Sequence, residues 1–164
     1  MPASAGASAV PAGSAGQDRC SAMINGTDLP DGYDRTVVPD RCNTDGELTT
    51  TGFKGLNGPL EHITEQIEVA GSAEKAVARF PEMISELGTI TPQAKEVSAD
   101  AFRDLGDEER YFTEHEGQTT WNVLCLRRGK IVMYLDVVKT GAPFTAEDLH
   151  RLAATAVRRA ASLG

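Results

Sequence analysis

The residues of this chain that most strongly suggest chemistry are its three cysteines, Cys20, Cys42 and Cys125. Cys20 and Cys42 lie in a region rich in turn-forming residues, whereas Cys125 lies among apolar residues. A disulfide between Cys20 and Cys42 would close a loop of about 22 residues and stabilise the fold by about 3 kcal/mol. We expect this pairing, because the front of the chain has few apolar side chains with which to hold itself together.

Two other states of the cysteines stay open at this point. Cys42 could pair with Cys125, which would tie the N-terminal loops to the sheet and leave Cys20 free. All three could also be free thiols in a reducing cytosol. Because no C-x-x-C spacing occurs, the sequence does not predict a zinc site or a thioredoxin-like redox site.

The histidines and acidic runs do not predict a catalytic or metal site. In Glu114-His115-Glu116, adjacent residues of a strand would point to opposite faces, so His115 cannot share a face with either neighbour. The acidic run at 107–109 lacks the spaced oxygen ligands and the glycine turn of a calcium loop. Neither a Gly-x-Ser-x-Gly nucleophile elbow nor a phosphate-binding glycine loop is present. We therefore expect no enzyme activity and no cofactor.

Aromatic side chains are the candidates for binding a partner, because exposed aromatic residues often anchor interfaces. We select Phe53, Tyr111 and Tyr134, together with Phe112. Aromatic residues make up 5% of the chain, so most of them should be needed in the core.

Hydrophobic periodicity predicts the elements that must position these residues. Strands are expected at Tyr33–Val38, Leu48–Phe53 and Ile63–Ala70, and a helix at Ala73–Leu87 with a kink or break at Pro81.

Three more strands follow, at Arg110–His115, Thr119–Leu126 and Ile131–Val138, separated by tight turns that imply an antiparallel meander. A last helix begins after Thr145, which forms an approximate capping box with Asp148. The pattern indicates an α+β fold, in which two helices pack on one face of an antiparallel sheet as a two-layer sandwich.

Composition divides the chain into two parts. Residues 1–17 are nearly all Ala, Ser, Gly and Pro, which predicts a flexible tether, and residues 18–164 are expected to form a single domain. The net charge of −8 disfavours nucleic acid and anionic membranes as partners. No apolar run approaches the ~20 residues that a membrane helix needs.

Several short motifs resemble small lipoproteins of high-GC Gram-positive bacteria and the related sensor domains of membrane Ser/Thr kinases. They are Asp28-Leu29-Pro30-Asp31-Gly32-Tyr33, Leu105-Gly106-Asp107-Glu108, the run Leu126-Arg127-Arg128-Gly129-Lys130-Ile131-Val132 and the Ala-rich last helix. The resemblance implies an extracytoplasmic, membrane-tethered α/β domain without catalytic residues. The lipidation site of that group does not transfer to Cys20, because Gln17-Asp18-Arg19 is unlike a lipobox. An anchor would therefore lie upstream of residue 1.

The sequence thus favours a non-enzymatic binding or sensing domain that recognises a protein, a cell-envelope component or a small ligand outside the cytoplasm. The alternative is a small cytosolic regulator or adaptor with buried free cysteines.

Overall fold

The computed structural model describes residues 19–34, 42–58, 60–142 and 144–164. The predicted tether at 1–17 and most of the strand predicted at 33–38 lie outside these residues. The described part of the chain has seven strands. They are β1 (Asn43–Asp45), β2 (Leu48–Lys54), β3 (His62–Val69), β4 (Lys95–Val97), β5 (Glu108–Glu116), β6 (Thr119–Arg128) and β7 (Ile131–Thr140).

The strands form one antiparallel sheet in the order β1-β2-β3-β7-β6-β5-β4. The α+β class, the antiparallel sheet and the meander of β5, β6 and β7 are therefore confirmed. The turns of the meander contain Gly117 and Gly129, both at positive φ, a conformation that glycine adopts without steric cost. Strand β7 joins this meander to the N-terminal strands by pairing with β3.

Two α-helices flank the sheet, α1 (Ala73–Ile90) and α2 (Ala146–Ala160). The capping box of Thr145 and Asp148 at the start of α2 is confirmed. Helix α1 continues through Pro81, so a break there was the wrong prediction. Pro81 is on the exposed side of α1, whereas Phe80 and Met83 on its other side are anchored in the core. Packing of that buried side maintains the helix despite the lost backbone donor.

The helices lie on opposite faces of the sheet, which corrects the expectation that both pack on one face. Helix α1 packs on alternate residues of β6 and β7, namely Val123, Cys125 and Val132. Helix α2 packs on the intervening residues Leu124, Leu126, Met133 and Leu135. Because these strands are apolar on both faces, each face needs a cover, and the domain has three layers.

An ion-pair cluster reinforces the position of α1 on its face. Nε of Arg79 lies 2.8 Å from Oε2 of Glu68 on β3, and its two Nη atoms contact the carboxylate of Glu86 at 2.8 and 2.9 Å. Charge-assisted bonds of this kind add directional contacts to the apolar packing.

The N-terminal segment, residues 19–34, lies on the α2 side of the sheet. Cys20 forms a disulfide with Cys42, with a Cα–Cα distance of 5.9 Å, as predicted. Cys125 is a buried free thiol, and burial raises its pKa to about 12. The segment also buries four apolar side chains in the core, which are Met23, Ile24, Leu29 and Tyr33. The disulfide is thus not the segment's sole attachment, contrary to the expectation from composition.

Candidate binding face of the sheet

The face of the sheet that carries α1 is apolar at one end and polar at the other. Helix α1 packs on the apolar end, around Val123, Cys125 and Val132. The polar end consists of side chains from β2, β3, β6 and β7 that retain solvent exposure. We call it the open face, and it consists of Thr50, Gly52, Lys54, His62, Thr64, Gln66, Trp121 and Asp136.

Strand register explains why these residues share a surface. Thr64 lies opposite both Gly52 on β2 and Asp136 on β7. Because side chains directly opposite each other point to the same side of a sheet, all three face the side that carries α1. Trp121 lies opposite Val138, which is itself the partner of His62, so the indole belongs to the same surface.

The described residues between β2 and β3, 55–58 and 60–61, form the rim of a cleft on the open face. The cleft has a volume of about 500 Å³ and is lined by Lys54, Gly55, Gly58, Leu60, Glu61, His62 and Trp121. A second hollow of about 300 Å³ adjoins it, since Lys54 and His62 line both. Leu60 is 56% exposed, so the rim presents an apolar side chain to solvent.

Glu61 holds this rim against the sheet. Its carboxylate is buried and accepts hydrogen bonds from the backbone amides of Thr140, at 2.9 Å, and Asn57, at 3.1 Å. Its carbonyl oxygen accepts from the amide of Gly55 at 2.7 Å. A Cβ at Gly55 would lie 2.0 Å from Cβ of Glu61, so this position requires glycine. The rim is consequently preorganised rather than loosely attached.

His62 and Asp136 form a pair on the open face. Nε2 of His62 lies 2.8 Å from Oδ2 of Asp136, and Nδ1 lies 2.9 Å from the carbonyl oxygen of Leu60. Both oxygens can only accept, so the protonated imidazolium satisfies both bonds by donating from each nitrogen. The hydrogen bond to Asp136 is the largest cause that raises the pKa of His62, and it outweighs the opposing effect of burial.

This arrangement is suited to binding rather than to proton abstraction. A histidine that acts as a general base needs one ring nitrogen facing the group that it deprotonates. In His62 both nitrogens already contact acceptors. Oδ1 of Asp136 is buried and has no hydrogen-bond partner among the described residues.

Of the four aromatic residues selected from the sequence, Tyr134 borders the open face, and Phe112 is partly buried against the apolar cluster that α1 covers. Phe53 is only 2% exposed and packs in the core on the α2 side, which corrects its selection as a surface anchor. Tyr111 is half-buried, stacks edge-on against Phe102, and donates a 2.7 Å hydrogen bond to Oδ1 of Asn122. Tyr134 is half-buried opposite Gln66, between α1 and the open face.

Sequence reasoning missed His62, Trp121 and Asp136 as members of one site. Alternation along β3 places His62, Thr64 and Gln66 on one side of the strand, and this polar pattern indicates a strip that faces solvent. The pairing with Asp136 had no such signal, because β3 and β7 are far apart in the chain.

Two polar side chains outside the open face, those of His150 and Asp107, make hydrogen bonds to distant parts of the chain. Nε2 of His150 pairs with Asp104 at 2.9 Å, and Oδ2 of Asp107 accepts from the amide of Gly129 at 2.7 Å. Among the described residues, no group of three or more His, Cys, Asp or Glu side chains could hold a metal ion. None of the described helices is both long and apolar enough to cross a bilayer.

No protein-family model matches the chain, and a search of curated proteins finds no significant relative.

Proposed function

We propose that this chain is a non-enzymatic, extracytoplasmic binding or sensing domain, tethered to the membrane as in lipoproteins, that binds a cell-envelope component. The observation that carries the proposal is the open face, a preformed surface with a cleft that α1 leaves accessible. Sites for small ligands are typically largely preformed, concave and furnished with a few convergent polar groups.

Two observations support the absence of catalysis and the location. Both ring nitrogens of His62 are engaged by acceptors, which leaves neither as a general base. The disulfide between Cys20 and Cys42 is of a kind that persists in oxidising compartments. The membrane tether in this proposal is inferred from the sequence resemblance to lipoproteins.

The location is tested by the thiol state of the protein isolated from its native host. Alkylation under denaturing, non-reducing conditions, read by intact mass spectrometry, should modify one cysteine, Cys125. Modification of all three cysteines would count against export and favour a cytosolic regulator.

The binding role is tested by co-sedimentation with washed envelope fragments of a high-GC Gram-positive bacterium. The double variant Thr50→Lys/Gln66→Lys should remain in the supernatant, because two long side chains would cover the open face. Val77→Lys/Ala78→Lys adds the same charge on the exposed surface of α1 and should sediment like the wild type. If wild-type protein does not sediment, or if both variants sediment equally, the open face is not the binding site.

A further inference from the structure

Trp121 is the single tryptophan of the chain and lies on the open face. Its half-buried indole lines the cleft together with Leu60 and Lys54. A tryptophan at a surface combines a broad, rigid apolar plane with one N–H donor. Such a plane matches the C–H face of a sugar ring, whose hydroxyl groups extend from its edge.

The rest of the open face supplies short, neutral polar groups. Thr50 lies opposite Gln66, and Thr64 lies opposite Gly52. Hydroxyl and amide groups both donate and accept, which suits a ligand with many hydroxyl groups. A Cβ at Gly52 would have its nearest neighbours at 3.9 Å, so there is room for a ligand to approach the backbone of β2.

Charge on the open face disfavours an anionic ligand. The imidazolium of His62 and the carboxylate of Asp136 compensate each other at 2.8 Å. Besides this pair, the charged residues at the cleft are Lys54 and Glu61, and Glu114 lies opposite Trp121 on β5, in a chain of net charge −8. Nucleic acids, anionic lipids and anionic wall polymers bind through dense basic patches, which this face lacks.

The open face is also unlike the core of a protein–protein interface. Such cores are enriched in aromatic and other apolar side chains that become fully buried. Here Trp121 and Leu60 are the large apolar residues at the cleft, and its other lining residues are Lys54, Glu61, His62 and two glycines. A polar ligand with one apolar face fits this composition better than a second protein surface.

From these features we infer that the open face binds an uncharged oligosaccharide of the cell envelope, with a sugar ring stacked on Trp121. The inference rests on the proposed function and names the class of its ligand. Thr64 and Gln66 lie on β3, two strands away from Trp121, so they would exchange hydrogen bonds with the hydroxyl groups of other rings of the same oligosaccharide.

The first test treats the envelope fragments before co-sedimentation with the wild-type protein. Periodate, which cleaves vicinal diols of sugars, should abolish sedimentation, and proteinase treatment should leave it unchanged. If proteinase abolishes sedimentation and periodate does not, the ligand is a protein. That result would refute an oligosaccharide ligand and leave the proposed binding function intact. A complete lack of sedimentation with untreated fragments would instead refute the proposed function.

The second test uses neutral polysaccharide released from the same fragments as the probe in amide and indole NMR. Its addition should shift the signals of Trp121, Thr64 and Gln66, and Trp121→Ala should weaken the apparent affinity about tenfold. Trp121→Phe should recover part of that loss, and Val77→Ala on α1 should bind like the wild type. Shifts confined to residues outside the open face, or equal affinity of Trp121→Ala, would overturn the inference.

Discussion

The backbone amide of Ile24 donates a 2.7 Å hydrogen bond to Oε2 of Glu65, a carboxyl group that is completely buried. Oε1 of Glu65 has no hydrogen-bond partner among the described residues. The ion pair of Asp28 and Arg159 lies close enough to affect the same carboxyl group. The N-terminal segment is thus attached to the sheet at Glu65 as well as through its disulfide.

The free energy of unfolding should depend on the ionisation of Glu65. Burial is the main cause that raises the pKa of Glu65 from 4.5 to about 8 in the folded protein. Between these values the folded state holds a proton that the unfolded state has lost. Stability should therefore fall as pH rises through this window, by at most about 1.4 kcal/mol per pH unit, and Glu65 should cause no further loss above it.

Urea unfolding of wild type and Glu65→Gln across about pH 5 to 9 measures this effect. The neutral amide should make the variant less sensitive to pH, since Gln mimics the protonated carboxyl group. His62, whose pKa is also raised, contributes stability that is lost above its ordinary pKa of 6.5, but it does so in both proteins. Parallel pH profiles for the two proteins would show that Glu65 does not titrate in this range.

Replacement of Asp136 should lower the pKa of His62. Asp136→Asn removes the carboxylate 2.8 Å from Nε2 and with it the largest cause of the raised pKa. We expect the pKa of His62 to decrease, as measured from the NMR titration of the imidazole C–H signals. The signals of His150, which contacts Asp104 instead, provide an internal reference. An unchanged His62 titration would mean that the pair does not form in solution.

Loss of the disulfide should destabilise the domain without unfolding it. The chain-entropy model gives a loss of about 3 kcal/mol for Cys20→Ser/Cys42→Ser, equivalent to a melting temperature lower by about 6–12 °C. The domain should still fold, because Met23, Ile24, Leu29 and Tyr33 keep the N-terminal segment in the core. Thermal unfolding monitored by circular dichroism measures the shift.

A thiol reductant should lower the melting temperature of the wild type and of Cys125→Ala, but not that of the double serine variant. A reductant effect on the double variant would contradict the assignment of the stabilisation to this disulfide.

Two neighbouring glycines should respond differently to alanine. Gly55→Ala should lower the free energy of unfolding by about 1–3 kcal/mol, because its Cβ would lie 2.0 Å from that of Glu61 and displace the rim. Gly52→Ala should change stability little, since its Cβ meets only ordinary contacts at 3.9 Å. The added methyl group would nevertheless occupy the open face and weaken binding to envelope fragments.

Chemical denaturation and co-sedimentation distinguish these two effects. If Gly52→Ala is well folded and sediments like the wild type, the ligand does not approach the backbone of β2.

Several elements could be predicted because their signals are local. The alternation along β3 and the capping box of Thr145 and Asp148 depend on residues only a few positions apart. Glu65, however, lies on the same side of β3 as the buried Ile63 and Ile67. Its burial is contrary to the ordinary preference of a carboxylate for solvent. No local pattern indicates this burial, since the carboxyl group accepts its hydrogen bond from the amide of Ile24, 41 residues earlier.

The sequence by itself determined the α+β class, the meander and both helices, and it favoured Cys20–Cys42 over two other cysteine states. Only the tertiary structure decided which face each helix covers, where the open face lies, and that His62 meets Asp136, 74 residues further along the chain. The physical reason is that periodicity and capping act within a single element. Strand order and register, by contrast, result from burying several elements together, and they alone determine which distant side chains become neighbours.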